Sequence, residues 1–565
     1  MNCRICAKDI LHPPDEFIRN VSPTWRGTIE PFDRPTLCLD CRLRRRLAFR
    51  NERFLFRREC AATKRTIISV FPPESEAVVY YSDSWRSDSW DARTYAEAPD
   101  PVLSVFSQFK RLLCRVPLEA LYINDSENSD YTNFAGYNKN TYLLFNSGHN
   151  QDCYYARGLY ESQDCADMYY CQRCRFCYEC INCNNCYALQ NSTHCAQCHD
   201  SYFLHDCLGC SNCIACVNLR HKTYHLFNQA VTKAEFERVK ATLDSHQLRQ
   251  ELAQKFQKLV SDSWQRGSHL LNTENSSGDF LSNCHNCHEC FESYGCQDSF
   301  FCDSVKPGKN LYACIGSCID SEILYETIGI GKSYRVAFSF NGSGLSDVYY
   351  SAFCQSSKHL FACIGIKNAE YCIFNKQYTQ REYEEILPTL ITKMRHDGEW
   401  GLFFDPRLSH YNYNQTVAFE YYPCAREQAL TDGYIWREQT AIDKPDRAVI
   451  DARELPDRFM LAQPELESKL ETNAIRCPAS GDCFKLTKAE ITFYEAQNIP
   501  LPRFHPDVRH ARRIEVRGMR SRIEAKCAGC SQIIKASSSK TALDKLLCEK
   551  CFASRVNVTI QHDII

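Results

Sequence analysis

The sequence predicts a mainly β protein with helical insertions. Its core is a duplicated short-coil parallel β-solenoid, with coils of about 12 residues, flanked by treble-clef and zinc-ribbon modules. Three observations predict this. Between Cys171 and Cys186 a cysteine recurs at every third position, and Cys153, Cys165, Cys171, Cys177, Cys183, Cys195, Cys207 and Cys213 stand six or twelve residues apart. The segment Cys216 to Val239 returns 147 positions later as Cys363 to Ile386, with Tyr224/Tyr371, Phe227/Phe374, Asn228/Asn375, Thr232/Thr379 and Glu235/Glu382 aligned. At the two ends lie paired Cys-x-x-Cys strings.

Bulk composition bounds the alternatives. A chain of 565 residues with 44% hydrophobic side chains is globular and has room for several domains. A net charge of −2 from 67 basic and 69 acidic residues excludes a globally cationic nucleic-acid binder but not local basic patches. No apolar run reaches the roughly 18 residues of a membrane span, and MNCRICAKDI lacks a signal-peptide core. The expectation is a cytoplasmic protein without a membrane partner. In a reducing compartment the 37 cysteines, an odd number, divide into metal thiolates and buried thiols.

Residues 1–65 carry Cys3, Cys6, Cys38 and Cys41, two knuckles able to place four thiolates around one tetrahedral Zn²⁺. The second knuckle opens a basic helix, and Arg42, Arg44, Arg45, Arg46 and Arg50 are candidate contacts to RNA or DNA phosphates. Residues 66–127 form a mixed α/β connector, in which Trp85 and Trp90 of the duplicated SDSW string are expected to join finger to scaffold.

The first solenoid copy is assigned to 128–228, with 14 cysteines. A six-residue beat suits a strand, a corner and a second strand, with every sixth residue pointing into a narrow core. The eight cysteines of that register are therefore the expected structural core. Cysteine fits there as a small side chain without a hydroxyl that needs a partner. Asn182, Asn184, Asn185, Asp200, Gly209 and Asn212 suit the corners. Three readings of the thiols compete: a buried ladder, metal or iron–sulfur ligands, and cross-core disulfides. The proline of a ferredoxin-type cluster motif is missing.

Residues 229–279 form a helical insertion entered through a capping box, Thr232-x-x-Glu235, which recurs as Thr379-x-x-Glu382. Each helix is expected to cover the end of its solenoid copy. The second copy spans 280–375, with ten cysteines and more Ser, Gly and Phe in their place. That dilution favours packing over ligation. His285 and His288 are read as coil-surface residues.

A capping helix and an irregular extension occupy 376–475. At 476–520 a degenerate finger lays FHPDVRHARR over LCLDCRLRRR, so that His505 replaces Cys38 and Val508 replaces Cys41. It has either lost its zinc or uses a mixed set from Cys477, Cys483, His505 and His510. Residues 521–565 carry Cys527, Cys530, Cys548 and Cys551, a four-cysteine zinc ribbon signature. About two zinc ions are expected, with a possible third.

The finger running into PTLCLDCRLRRRLAFRNER, the string Trp85 to Ala92, the CVNL and LFN solenoid endings and EITFYEAQNIPLPRFHPDVR together resemble a cysteine-rich zinc-finger/β-solenoid family of ultra-small candidate-phyla bacteria. The resemblance covers nearly the whole chain and implies architecture rather than an activity. In that family the segment matching His505 to Val508 resembles a CPxCR knuckle, from which this chain departs. Some relatives are described as CoA-transferases, and no residue pattern here supports that.

No Walker loop, GxSxG elbow or HExxH string occurs. The leading expectation is a non-catalytic zinc-binding scaffold, its terminal fingers contacting nucleic acid or a nucleoprotein complex and its solenoid presenting a face to a protein partner. Two alternatives stand beside it. A protein-interaction hub without nucleic acid is favoured if the basic clusters are buried at domain contacts. A metal-dependent or redox enzyme would use the solenoid cysteines.

Overall fold

The computed structural model describes residues 2–316, 318–438, 447–459, 464–518, 520, 522–537 and 543–561. The repeat read as six residues is three residues long. From Phe134 to Phe227 every third residue has φ in the left-handed region. The chain therefore turns a corner every three residues and closes a four-sided coil in twelve. Parallel pairing carries this register: Cys153 lies beside Cys165, Leu189 beside Ser201 and Ser211 beside Thr223.

Within each side the first residue points inward, the second joins the ladder and the third turns the corner. The Tyr142 amide donates to the Cys153 carbonyl at 3.1 Å, and the Tyr155 amide to the Tyr142 carbonyl at 3.0 Å. A left-handed corner costs a non-glycine residue about 1–2 kcal/mol, and the ladder bond made by the corner amide offsets it. Asn182, Asn185, Asp200, Gly209 and Asn212 hold corners as expected. Asn184 does not; it sits in the ladder opposite Ala196.

The inward amide has no strand to meet, and this explains the core composition. Ser162 Oγ accepts the amide of Cys174, one coil on, at 3.1 Å and donates to the Tyr160 carbonyl at 3.0 Å. Cysteine fills both roles: Cys198 donates to the Ala196 carbonyl at 3.4 Å and accepts the amide of Cys210. The thiol is thus a small group with polar work to do, not merely a compact hydrophobe. All eight cysteines of the six-residue register are buried. So are Cys174, Cys180, Cys186, Cys198, Cys210 and Cys216, which fit only the three-residue beat.

The chain divides into two compact units, each assembled from two separate segments. Unit 1 joins Met1–Tyr122 to Ser268–Glu438, and unit 2 joins Ile123–Gly267 to Gln439–Ile565. Unit 2 holds the first ladder, whose pairing begins at Ile123. Unit 1 holds the second, which begins at Leu270 rather than 280. Two of its coils depart from twelve residues. Leu270 lies beside Leu281, a coil of eleven, and Gly308 beside Ser321, a coil of thirteen.

Each ladder ends with the same device. Asn228 Oδ1 accepts the Val217 amide at 2.8 Å and its Nδ2 donates to the Val217 carbonyl at 3.0 Å. Asn375 does the same for Ile364, both at 2.8 Å. The side-chain amide stands in for the backbone of a further coil, which explains the repeated LFN ending. A short antiparallel strand follows each asparagine. The helices Lys233–Lys240 and Gln380–His396 then start from complete capping boxes, Thr232 with Glu235 and Thr379 with Glu382. Phe236 packs on Tyr224 and Tyr383 on Tyr371, at equivalent positions of the two copies. In unit 1, Trp85 is fully buried and with Trp90 holds the Lys367 ammonium of the solenoid, 4.0 and 4.9 Å from the two rings. The tryptophans join connector to scaffold.

Candidate metal centres

Two groups of four sulfurs form at the chain's ends. Cys3 begins a tight turn in which its amide donates to the Lys8 carbonyl at 2.7 Å and its carbonyl accepts from Ala7 at 2.9 Å. This turn aims Cys3 and Cys6 at one point. Cys38 is the N-cap of the helix Leu39–Leu47, and Cys41 lies in its first turn. The four sulfurs lie within 4.8 Å of one another, with Cys6 to Cys38 at 3.4 Å and Cys6 to Cys41 at 3.6 Å. A tetrahedron with Zn–S bonds of about 2.3 Å has edges near 3.8 Å. Cys527, Cys530, Cys548 and Cys551 form the second group, with Cys530 to Cys548 at 3.9 Å. Each group could hold one metal ion.

Electrostatics suits this. Burial pushes the Cys3 thiol up, but the amides of Cys38, Cys6 and Ile5 bring it down to about 6. Cys527 is likewise lowered to about 6: burial opposes the shift, and the amides of Cys548, Cys530 and Gly529 outweigh it. Amides aimed at sulfur favour the thiolate, the form that binds metal.

The degenerate finger keeps the turn without the ligands. Cys477 donates to Asp482 at 2.8 Å as Cys3 does to Lys8, but Ser480 stands where Cys6 would. Cys483 pairs in a strand opposite Arg476. His505 caps the helix Pro506–Arg517, its Nδ1 accepting the Asp507 amide at 3.2 Å. His510 is buried, and Val508 packs with a hydrophobic cluster. Among the described residues Cys477, Cys483, His505 and His510 do not converge as a metal site.

The solenoid thiols form no four-sulfur centre among the described residues. Their sulfurs donate to backbone carbonyls, as Cys171 does to Tyr169 at 3.4 Å and Cys183 to Ile181 at 3.5 Å. His285 lies 3.8 Å from Glu274 and His288 stacks on Phe300, both on the coil surface.

The basic helix corrects a sequence expectation. Arg42, Arg46 and Arg50 are each no more than 2% exposed, so they do not face phosphates. Arg42 and Arg46 converge on the buried solenoid residue Glu326, at 3.1 and 2.9 Å, and Arg50 pairs with Glu52 at 2.5 Å. Arg44 pairs with Asp432 at 2.6 Å and donates to Tyr413 at 2.7 Å; Arg45 donates to the Phe404 carbonyl at 2.7 Å. The physical reason is desolvation. Guanidinium groups removed from water need carboxylates or carbonyls; the solenoid corner supplies Glu326, and Glu52, Asp432 and the Phe404 carbonyl supply the rest.

Unit 2 repeats the device. Arg509 and Arg513, which align with Arg42 and Arg46, converge on the buried Asp167, the second at 2.7 Å. Beside them Glu490 is fully buried and accepts from Tyr155 at 2.7 Å and Tyr494 at 2.9 Å. Burial pushes the Glu490 carboxyl up to about 7 against the pull of Arg509 and the two tyrosines. The finger overlay in the sequence contains this second arginine pair. What it lacks is any sign of the carboxylate that receives it.

Comparison with known proteins finds no family model that matches the chain and no curated protein similar to it.

Proposed function

We propose that the chain is a non-catalytic scaffold in which zinc, held by the two four-thiol groups, orders modules that brace the solenoids, and in which the ladders' exposed faces meet a protein partner. The observation that carries this reading is the burial of the finger arginines on solenoid carboxylates, Arg42 and Arg46 on Glu326 and Arg509 and Arg513 on Asp167. Charges spent on intrachain pairs are not available for counterion release at a phosphate backbone. The ladder faces support the partner role. Tyr187 and Tyr334, 147 positions apart, occupy equivalent ladder positions and are 48% and 46% exposed. Tyrosine supplies contact area at low entropic cost, which suits a protein surface. Zinc fits four thiolates at tetrahedral spacing better than harder ions do.

The test combines a metal count with a salt titration on duplex DNA and structured RNA. The expected result is about two zinc per chain and no steeply salt-dependent affinity. Replacing Arg42, Arg44, Arg45, Arg46 and Arg50 together by Gln is expected to destabilise unit 1. Tight binding that weakens steeply with salt and is lost in a folded fivefold variant would instead establish the nucleic-acid reading.

A further inference from the structure

Four turns in the chain share one backbone pattern, beginning at Cys3, Cys60, Cys477 and Cys527. The amide of each donates to the carbonyl five residues on: Lys8 at 2.7 Å, Arg65 at 2.9 Å, Asp482 at 2.8 Å and Gln532 at 2.9 Å. The carbonyl of each accepts from the residue four on: Ala7 at 2.9 Å, Lys64 at 2.9 Å, Gly481 at 3.0 Å and Ser531 at 2.8 Å. Those four residues have φ of 60°, 61°, 78° and 61°.

Downstream of each turn a helix starts at a matching place. Cys38 caps Leu39–Leu47, Tyr81 caps Ser82–Arg86, His505 caps Pro506–Arg517, and Cys548 immediately precedes Glu549–Gln561. The amide of that preceding residue points at the first sulfur of the turn. Tyr81 donates to Cys60 at 3.3 Å and Cys548 to Cys527 at 3.2 Å, and the amides of Cys38 and His505 likewise serve Cys3 and Cys477.

From this recurrence we infer that the turn at Cys60 opens a fourth module of the same two-knuckle kind, with Thr63, Tyr81 and Ser84 at the places of the other three ligands. Each unit then carries a tandem pair of modules, one with four thiols and one in which packing has taken over the bracing role of the metal. In unit 1 the four-thiol module comes first, and in unit 2 it comes second. Cys60 offers a single buried thiol and is not itself a metal site. Its turn is held by the hairpin Phe56–Glu59 with Thr66–Ser69 and by the bond from the Ala61 amide to the Val79 carbonyl at 2.8 Å. At Cys477 the same takeover is visible in Val508, packed among apolar side chains where a fourth ligand would stand.

Reconstitution tests this. In the full-length chain, T63C/Y81C/S84C completes the four-thiol set at positions that are exposed or half-buried. After zinc loading and removal of free metal, the count is expected to rise from about two to about three per chain, and the thiolate-to-cobalt absorbance of the cobalt form by about half. A folded variant that stays at about two ions overturns the inference. Hydrogen exchange on the native chain decides the matter should the variant not fold. On chelation the amides of Ala7 and Ser531 are expected to lose protection while those of Lys64 and Gly481 keep it. Loss at Lys64 as well would overturn the replacement of metal by packing.

Discussion

An inward serine or cysteine has two duties, to accept the amide one coil on and to donate to the carbonyl two residues back. Serine does both with oxygen and cysteine with sulfur. Cys198→Ser is therefore expected to be nearly neutral, whereas Cys198→Val leaves the Cys210 amide buried without a partner and costs about 1–3 kcal/mol. Urea denaturation of the two variants checks this, and equal losses would reduce the thiol to a space filler. A second residue-scale expectation concerns Glu490. Its carboxyl is raised by burial to about 7 in the fold, against about 4.3 unfolded. The unfolded chain therefore binds fewer protons between these values, and this group's stabilising contribution is present below about pH 4.3 and lost as pH rises through 7. Glu490→Gln should flatten the stability of unit 2 between pH 5 and 8. A slope unchanged by the substitution would mean that another group carries it.

At the scale of elements, the two-arginine latch ties a finger helix to one solenoid carboxylate. Glu326→Gln leaves two buried cations without their counter-charge, and removing one side of a buried pair costs about 3–5 kcal/mol. Replacing Arg42, Arg46 and Glu326 together by apolar residues of similar volume is expected to cost far less, as measured by thermal unfolding. A metal held by the first four-thiol group would link to one latch only. The helix Leu39–Leu47 starts at Cys38 of that group, whereas Pro506–Arg517 starts at His505 over a turn without the other thiols. Chelation, or Cys41→Ala, should free the first helix to proteolysis and leave the second protected. Release of both helices, or of neither, would refute this.

These scales also explain what was legible beforehand. The coil length and the covering helices were, because inward positions admit few side chains and a capping box has a short sequence signature. The three-residue side was less legible because Ala156, Met168 and Leu204 interrupt the cysteines on alternate sides, leaving six as the louder period. The four-thiol groups were plain from spacing. Glu326 was not, since a lone acid in a corner column of Phe338 and Tyr350 carries no pattern of its own. The Cys60 turn escaped because Cys-Ala-Ala-Thr keeps the backbone of a knuckle without its second ligand.

For the molecule as a whole, the segments nearest the ends of the chain are not appendages. Residues before Tyr122 fold with the second ladder and residues after Gln439 with the first. Truncating 439–565 is therefore expected to expose the Tyr154 and Tyr178 face of the first ladder, which packs with the cluster around Ile475 and Tyr494. Aggregation of that truncation, relieved when the segment is supplied in trans, is the outcome to measure. A well-behaved, equally stable truncation would count against this account.

The ladder also has a mechanical side. Each coil is a closed square of chain, and successive coils are bonded to one another in series along one axis. A load applied along that axis has nothing to break but one rung at a time, starting from the end whose coil has a single neighbour. Each rung hands over twelve residues, about 40 Å of contour at full extension, in exchange for a rise near 4.8 Å. Drawn out between bead and surface, such a ladder would lengthen in a staircase of near-equal steps. The eleven- and thirteen-residue coils would register as the two uneven treads.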